Sequence, residues 1–197
     1  MIVNAALFGT SADPPTAAHQ VILNWLSHNY DLVIVWASDN PLKSQQTPLK
    51  HRSQMLKLLI EEMSAPRQNI SLCQNLSSPR TLETVDAVRR QLGLQVDLTL
   101  VIGSDLVNQI KCWYQVEKLL RQVKLLVVPR PGYAINQADL EGLRKLGTEA
   151  AIAQLQVPSV SSTGYRDWGD TQALTRAVKD YIHQEHLYSC QQAAPNS

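Results

Sequence analysis

Two rhythms of apolar and polar positions run along this chain. Ile2 to Phe8, Leu32 to Ala37, Ile70 to Cys73, Leu98 to Ile102 and Lys124 to Val128 are short, nearly continuous apolar runs. They predict strands covered on both faces. Between them the apolar positions recur at helical spacing. Val21, Ile22, Trp25 and Leu26 do so within Thr16 to His28, Met55, Leu56, Leu59, Ile60 and Met63 in a second segment, and Leu82, Val85, Val88 and Leu92 in a third. These predict amphipathic helices. A short helical region follows Ile102. Beyond Val128 the pattern predicts a helix over Asp139 to Leu146, a late strand over Ile152 to Val157 and a last helix over Thr171 to His186. Ser38 to Pro48 is polar and proline-punctuated, hence a loop. Strands alternating with helices predict an α/β fold with a doubly wound, mostly parallel sheet and a small helical C-terminal part. Residues 1–188 read as one domain and residues 189–197 as a frayed tail.

Composition narrows the function classes. With 44% hydrophobic and 18% charged residues, the chain of 197 residues is neither a disordered polymer nor a coiled coil. Its 18 basic and 17 acidic side chains leave a net charge of +1, so no nucleic-acid or anionic-membrane surface is expected. No apolar run reaches the roughly 20 residues that span a bilayer. The N-terminus shows neither a basic n-region nor a cleavage site, and Cys73, Cys112 and Cys190 are odd in number and widely spaced. Both features predict a cytoplasmic protein with reduced thiols. His183, Glu185 and His186 fall short of the four converging ligands of a structural metal site, so none is expected.

In a doubly wound fold, ligands bind beyond the carboxyl ends of the strands. The loops to read are therefore those after Phe8, Ala37 and Ile102, and the segment before Ser161. After the first strand comes Gly9-Thr10-Ser11-Ala12-Asp13-Pro14-Pro15-Thr16-Ala17-Ala18-His19. Thr16 and His19 are three apart, on one face of a helix N-terminus whose free N–H groups suit phosphate. Late in the chain, Ser161-Ser162-Thr163-Gly164-Tyr165-Arg166 combines hydroxyls, free amides and a guanidinium at another helix start. Either segment alone is also what an ordinary capped helix looks like. Two of them in one such domain point to a nucleotide polyphosphate.

Together the two segments resemble the nucleotidyltransferase superfamily with its (His/Thr)-x-x-His signature, and most closely the bacterial nicotinate-nucleotide adenylyltransferases. That family opens with Gly-Gly-Thr-Phe-Asp-Pro-Pro-His-x-Gly-His and carries Ile-Ser-Ser-Thr-x-Ile-Arg near its end. Asn40-Pro41-Leu42-Lys43 followed by Arg52, then Pro79-Arg80-Thr81-Leu82-Glu83-Thr84, Gly103-Ser104-Asp105 with Trp113, and Arg130-Pro131-Gly132 all stand in the family's order. So do Tyr181-Ile182 and Leu187-Tyr188 at the close. Thr16, Ala18, Ala12 and Leu42 depart from the family's His, Gly, Phe and His.

The resemblance implies a Rossmann-like nucleotidyltransferase that transfers the adenylyl group of ATP to nicotinic acid mononucleotide, releasing pyrophosphate in NAD biosynthesis. It implies catalytic roles for His19, Thr16 and Arg166. It places ATP on Gly9, Thr10, Ser11, His19, Gly103, Asp105, Ser161, Ser162, Thr163 and Arg166, with Lys43 closing over the phosphates. Lys43, Arg52, Thr81, Trp113 and Tyr114 are the implied acceptor contacts, and Mg²⁺ travels on the ATP phosphates. No Lys or Arg stands at a position assignable to the nicotinate carboxylate, so backbone N–H groups and the Thr81 hydroxyl are the expected donors. Another adenylyl- or cytidylyltransferase, such as one acting on pantetheine phosphate, and a non-catalytic nucleotide sensor both stay open, as does a homo-oligomer.

Overall fold

The computed structural model describes residues 2–39, 46–63, 67–93 and 95–188. The chain runs β1 (Val3–Thr10), α1 (Ala17–Asn29), β2 (Leu32–Ala37), α2 (Leu49–Glu62), β3 (Ile70–Leu72), α3 (Thr81–Leu92) and β4 (Val96–Gly103). It continues through α4 (Val116–Leu120), β5 (Lys124–Val128), α5 (Gln137–Lys145), β6 (Ala150–Ile152), α6 (Ser162–Trp168) and α7 (Arg176–Gln184). Short 3₁₀ turns occupy Gln74–Leu76, Ser104–Leu106, Ile110–Cys112 and Thr171–Ala173.

The strands form one six-stranded sheet in the order β3-β2-β1-β4-β5-β6, and every neighbouring pair is parallel. Because side chains alternate along a strand, each apolar run feeds two cores. Leu7, Ile34, Leu100 and Val127 face α3, α4 and α5, where Val85, Val88, Leu119 and Leu143 are fully buried. Phe8, Val35, Val101 and Val128 face the other layer, made by Leu23 and Leu26 of α1, Leu56 and Leu59 of α2 and Val178 of α7. Each of these buried side chains contributes about 1.5–3 kcal/mol of transfer free energy. β1 lies between β2 and β4, where the winding reverses direction. The loops leaving the carboxyl ends of β1 and β4 therefore part to opposite faces and leave a crevice between them.

Three sequence expectations are corrected. The late strand spans Ala150–Ile152 instead of Ile152 to Val157. Its partner β5 ends at Val128 before Pro129, so beyond the Ala153 N–H to Val127 bond there is no ladder left to join. The last helix is broken, because Leu174 and Thr175 are extended and α7 begins only at Arg176. The second helix starts earlier than its apolar stripe, at Leu49 directly after Pro48. The expected tail from residue 189 onward lies outside the described residues.

Candidate active site

At the β1 carboxyl end the chain turns through Ala12, whose φ of 46° is left-handed, and enters α1 behind Thr16. Thr16 is extended and serves as the N-cap. Its backbone N–H donates to Nδ1 of His19 at 3.1 Å, and its hydroxyl lies 3.0 Å from the same nitrogen. A backbone N–H can only donate, so Nδ1 is the unprotonated nitrogen of the ring. The ring proton of neutral His19 therefore sits on Nε2, which lies 2.9 Å from the Thr10 hydroxyl. Burial, with the Arg130 charge assisting, pushes the His19 pKa down to about 3. His19 is a neutral, oriented N–H donor at a helix N-terminus.

A second layer of bonds ties this loop to the far end of the chain. The Ser161 hydroxyl accepts from Gly164 N–H at 2.9 Å and caps α6, while Ser162 donates its hydroxyl to the Pro14 carbonyl at 2.7 Å. The Arg166 guanidinium donates to the carbonyl of Asp13 and lies 3.4 Å from the Thr163 hydroxyl. Asp13 is itself a hub. One carboxylate oxygen accepts from Thr47 N–H at 3.2 Å and the other from the Tyr188 hydroxyl at 2.6 Å. Tyr188 packs edge-on against Tyr165 with centroids 5.7 Å apart, and its phenol is pushed well above the ordinary range by burial and by the Asp13 carboxylate.

One cavity of about 1490 Å³ runs along this rim. That exceeds the roughly 300–1,000 Å³ of a single small-molecule site, so two nucleotides can share it. It is lined by Gly9, Thr10, Ser11, His19, Gly103, Asp105, Ser161, Ser162, Thr163 and Arg166, and also by Thr81, Trp113 and Tyr114. The structure thus brings thirteen of the sixteen sequence-predicted site residues around one space. Thr16 and Arg52 do not line it. Thr16 is fully buried behind His19, where it orients the ring. Arg52, 1% exposed, gives its guanidinium to the carbonyls of Ser11, Ser38 and Thr47 and to the Asp39 carboxylate. There it pins the loop after β1 to both ends of the loop between β2 and α2. Lys43 lies outside the described residues.

Two glycines let backbone approach the cavity floor. A Cβ on Gly9 would fall 2.5 Å from the Trp36 indole, and one on Gly103 would collide with the Asp105 carboxylate and the Arg130 side chain. Asp105 pairs one oxygen with Arg130 at 3.0 Å. Its other oxygen is buried and has no partner among the described residues, a ready acceptor for a hydroxyl such as a ribose carries. Arg80, whose guanidinium carbon lies over the Tyr114 ring at 4.4 Å, lines the same cavity with Trp113 and Thr81. Arg80, Asp13 and Tyr188 are the site residues that the sequence reading left without a role. For Arg80 the signal was its place directly before Thr81 in the matched segment. Among the described residues no group of three or more His, Cys, Asp or Glu is placed to hold a metal ion. No described helix is long and apolar enough to cross a membrane.

Around this one cavity stand neutral and cationic N–H donors suited to phosphate, an acceptor for a sugar hydroxyl, and aromatic rings. The cytidylyltransferase-like family model matches residues 7–167. A Synechocystis sp. protein named "Probable nicotinate-nucleotide adenylyltransferase" is 43% identical over 195 residues, covering 93% of this chain and 98% of its own. A Bacillus cereus protein of the same name is 30% identical, covering 92% and 96%. Among solved structures, the Plasmodium falciparum nicotinic acid mononucleotide adenylyltransferase complexed with NaAD superposes with a TM-score of 0.77 at 21% identity, over 95% of this chain and 98% of that one. By fold, motif order and full-length similarity, this chain belongs to the nicotinate-nucleotide adenylyltransferases of the cytidylyltransferase-like family.

Proposed function

We propose that the chain catalyses attack of the 5′-phosphate of nicotinic acid mononucleotide on the α-phosphorus of ATP. The new phosphoanhydride bond gives deamido-NAD, and the bond between the α-phosphorus and the bridging oxygen breaks with its electrons leaving on pyrophosphate. The name carried by the 43% identical Synechocystis relative supports this choice of acceptor. The observation that carries the chemistry is His19, a neutral Nε2–H donor at the start of α1, facing the same cavity as Arg166.

The attacking phosphate is already ionised, so no side chain has to remove a proton. What remains is in-line positioning and neutralisation of charge. His19 Nε2–H exchanges its Thr10 partner for an α-phosphoryl oxygen, whose negative charge grows in the transition state. Arg166, Ser162 and Thr163 take the departing β- and γ-phosphates, with Lys43 as the proposed cover. Asp105 accepts from the adenosine ribose and Gly103 lets the nucleotide lie close. Trp113 and Tyr114 flank the pyridine ring, and the Thr81 end of α3 supplies backbone donors to its substituent. Mg²⁺ enters as part of the ATP substrate, and the cavity's donors address the phosphate oxygens that it leaves open.

The test is the purified chain with ATP and Mg²⁺, offered nicotinic acid mononucleotide, nicotinamide mononucleotide or pantetheine phosphate in turn, with pyrophosphate and dinucleotide measured. Fastest pyrophosphate release with nicotinic acid mononucleotide is the expected result. A faster rate with pantetheine phosphate, or no release with any acceptor, overturns the proposal.

A further inference from the structure

The acceptor end of the cavity holds a cation whose bonding leaves half of it free. Arg80 stands just before α3 and borders the cavity together with Thr81, Trp113 and Tyr114. Its guanidinium carbon lies over the Tyr114 ring, 4.4 Å from the centroid. One edge is held as well, because Nη1 donates to Glu83 Oε1 at 3.2 Å. Glu83 is fixed in turn by the Ser78 hydroxyl at 2.6 Å, and the Ser78 and Arg80 bonds hold its carboxyl below the usual carboxylate range. The Tyr114 ring and Glu83 thus hold the group between them, while Nε and Nη2 make no hydrogen bond with the described residues. A planar, oriented, half-satisfied guanidinium is a receptor for a planar oxyanion.

Resting on the adenylyl-transfer reading, we infer that Arg80 sets the choice of acceptor by the charge of the ring substituent. Its open edge pairs with the carboxylate of a nicotinate ring lying against Trp113 and Tyr114. The chemistry of the two rival acceptors makes this contact discriminating. The pyridine ring of either mononucleotide is cationic at its glycosidic nitrogen. In the acid form the carboxylate balances that charge and faces Arg80. In the amide form the ring stays cationic, and a carboxamide offers one neutral acceptor oxygen and an N–H₂ that opposes the guanidinium donors. Arg80 therefore attracts one substrate and repels the other, which is how a site gains specificity beyond affinity. Tyr114 serves both partners, carrying the guanidinium over its ring and lining the same pocket.

The experiment is kcat/KM for nicotinic acid mononucleotide and nicotinamide mononucleotide, at fixed ATP and Mg²⁺, in the unaltered chain, Arg80→Gln and Arg80→Lys. Arg80 is exposed, so both variants are expected to fold, and unchanged thermal unfolding checks this. Arg80→Gln should lower kcat/KM for the acid about 10- to 100-fold, leave that for the amide unchanged or higher, and leave KM for ATP where it was. Arg80→Lys, charged but not planar, should keep part of the acid preference. An unchanged acid-to-amide ratio overturns the inference, and so does an equal loss on both acceptors, which would put Arg80 on their shared phosphate. If the unaltered chain turns over neither acceptor, it is the adenylyl-transfer reading that fails, and the two failures are told apart.

Discussion

His19 is committed on one side to a partner that has no other option. Because Thr16 N–H can only donate, the Nε2–H tautomer is fixed before any ligand arrives, and the low pKa keeps the ring neutral. Histidine-labelled ¹⁵N NMR should show His19 as the Nε2–H tautomer without titration from pH 8 to pH 5. A midpoint near 6.5 would contradict the geometry. His19→Ala should lower kcat about 10²–10³-fold, with KM for ATP changed much less, since the lost donor acts on charge that develops in the transition state. The i, i+3 spacing of Thr16 and His19 was legible in the sequence, because a helix start dictates it. Their division of labour was not. Thr16 turns its hydroxyl to the ring instead of the cavity, and only the loop's path decides that. The stacking of Arg80 on Tyr114 was equally hidden, because it joins residues on two different crossovers of the sheet.

At the scale of elements, α2 shows where pattern reading stops. Its apolar stripe starts at Met55, yet the helix starts at Leu49, and the additional turn exists to deliver Arg52. A first turn whose one apolar residue is Leu49 leaves no periodic signal, so the staple at Arg52 looked like an acceptor-binding arginine. Its four bonds reach loops that follow β1 and β2 and the residues just before α2. Arg52→Met should leave those carbonyls buried without donors and lower stability by about 3 kcal/mol or more, read from urea unfolding. KM for ATP should rise, because the loop after β1 is held by the staple. Arg52→Lys should rescue little, since one ammonium cannot span four diverging acceptors.

For the whole molecule, the sheet and its two cores were legible because continuous apolar strands admit few arrangements other than a covered parallel sheet. What lay beyond reading were contacts between distant loops, such as Asp13 with Thr47, Arg166 and Tyr188. The buried groups also set the pH range of stability. His19 has a folded pKa near 3 against about 6.5 when unfolded, so the unfolded chain binds more protons between these values. Its contribution is whole above about pH 6.5 and is lost as pH falls, by about 2 kcal/mol between pH 7 and pH 5. The raised phenols of Tyr188 and Tyr165 work in the opposite sense, present below pH 10 and lost above it. Urea midpoints should therefore peak on a plateau from about pH 7 to 9, and His19→Asn should flatten the acid slope alone.

The bond from the Tyr188 hydroxyl to Asp13 spans 175 positions of sequence. Tyr188 holds a left-handed φ of 63° to make it, a conformation that a tyrosine adopts only under constraint. Asp13 is synthesised before Tyr188, so the loop after β1 stays unlatched until the chain between the two has been made. The final geometry of that loop thereby depends on a side chain 175 positions away from it. A chain ended after Tyr188 should match the full chain in turnover. One ended after His186 should keep its secondary structure by circular dichroism, yet lose most of its ATP-dependent pyrophosphate release.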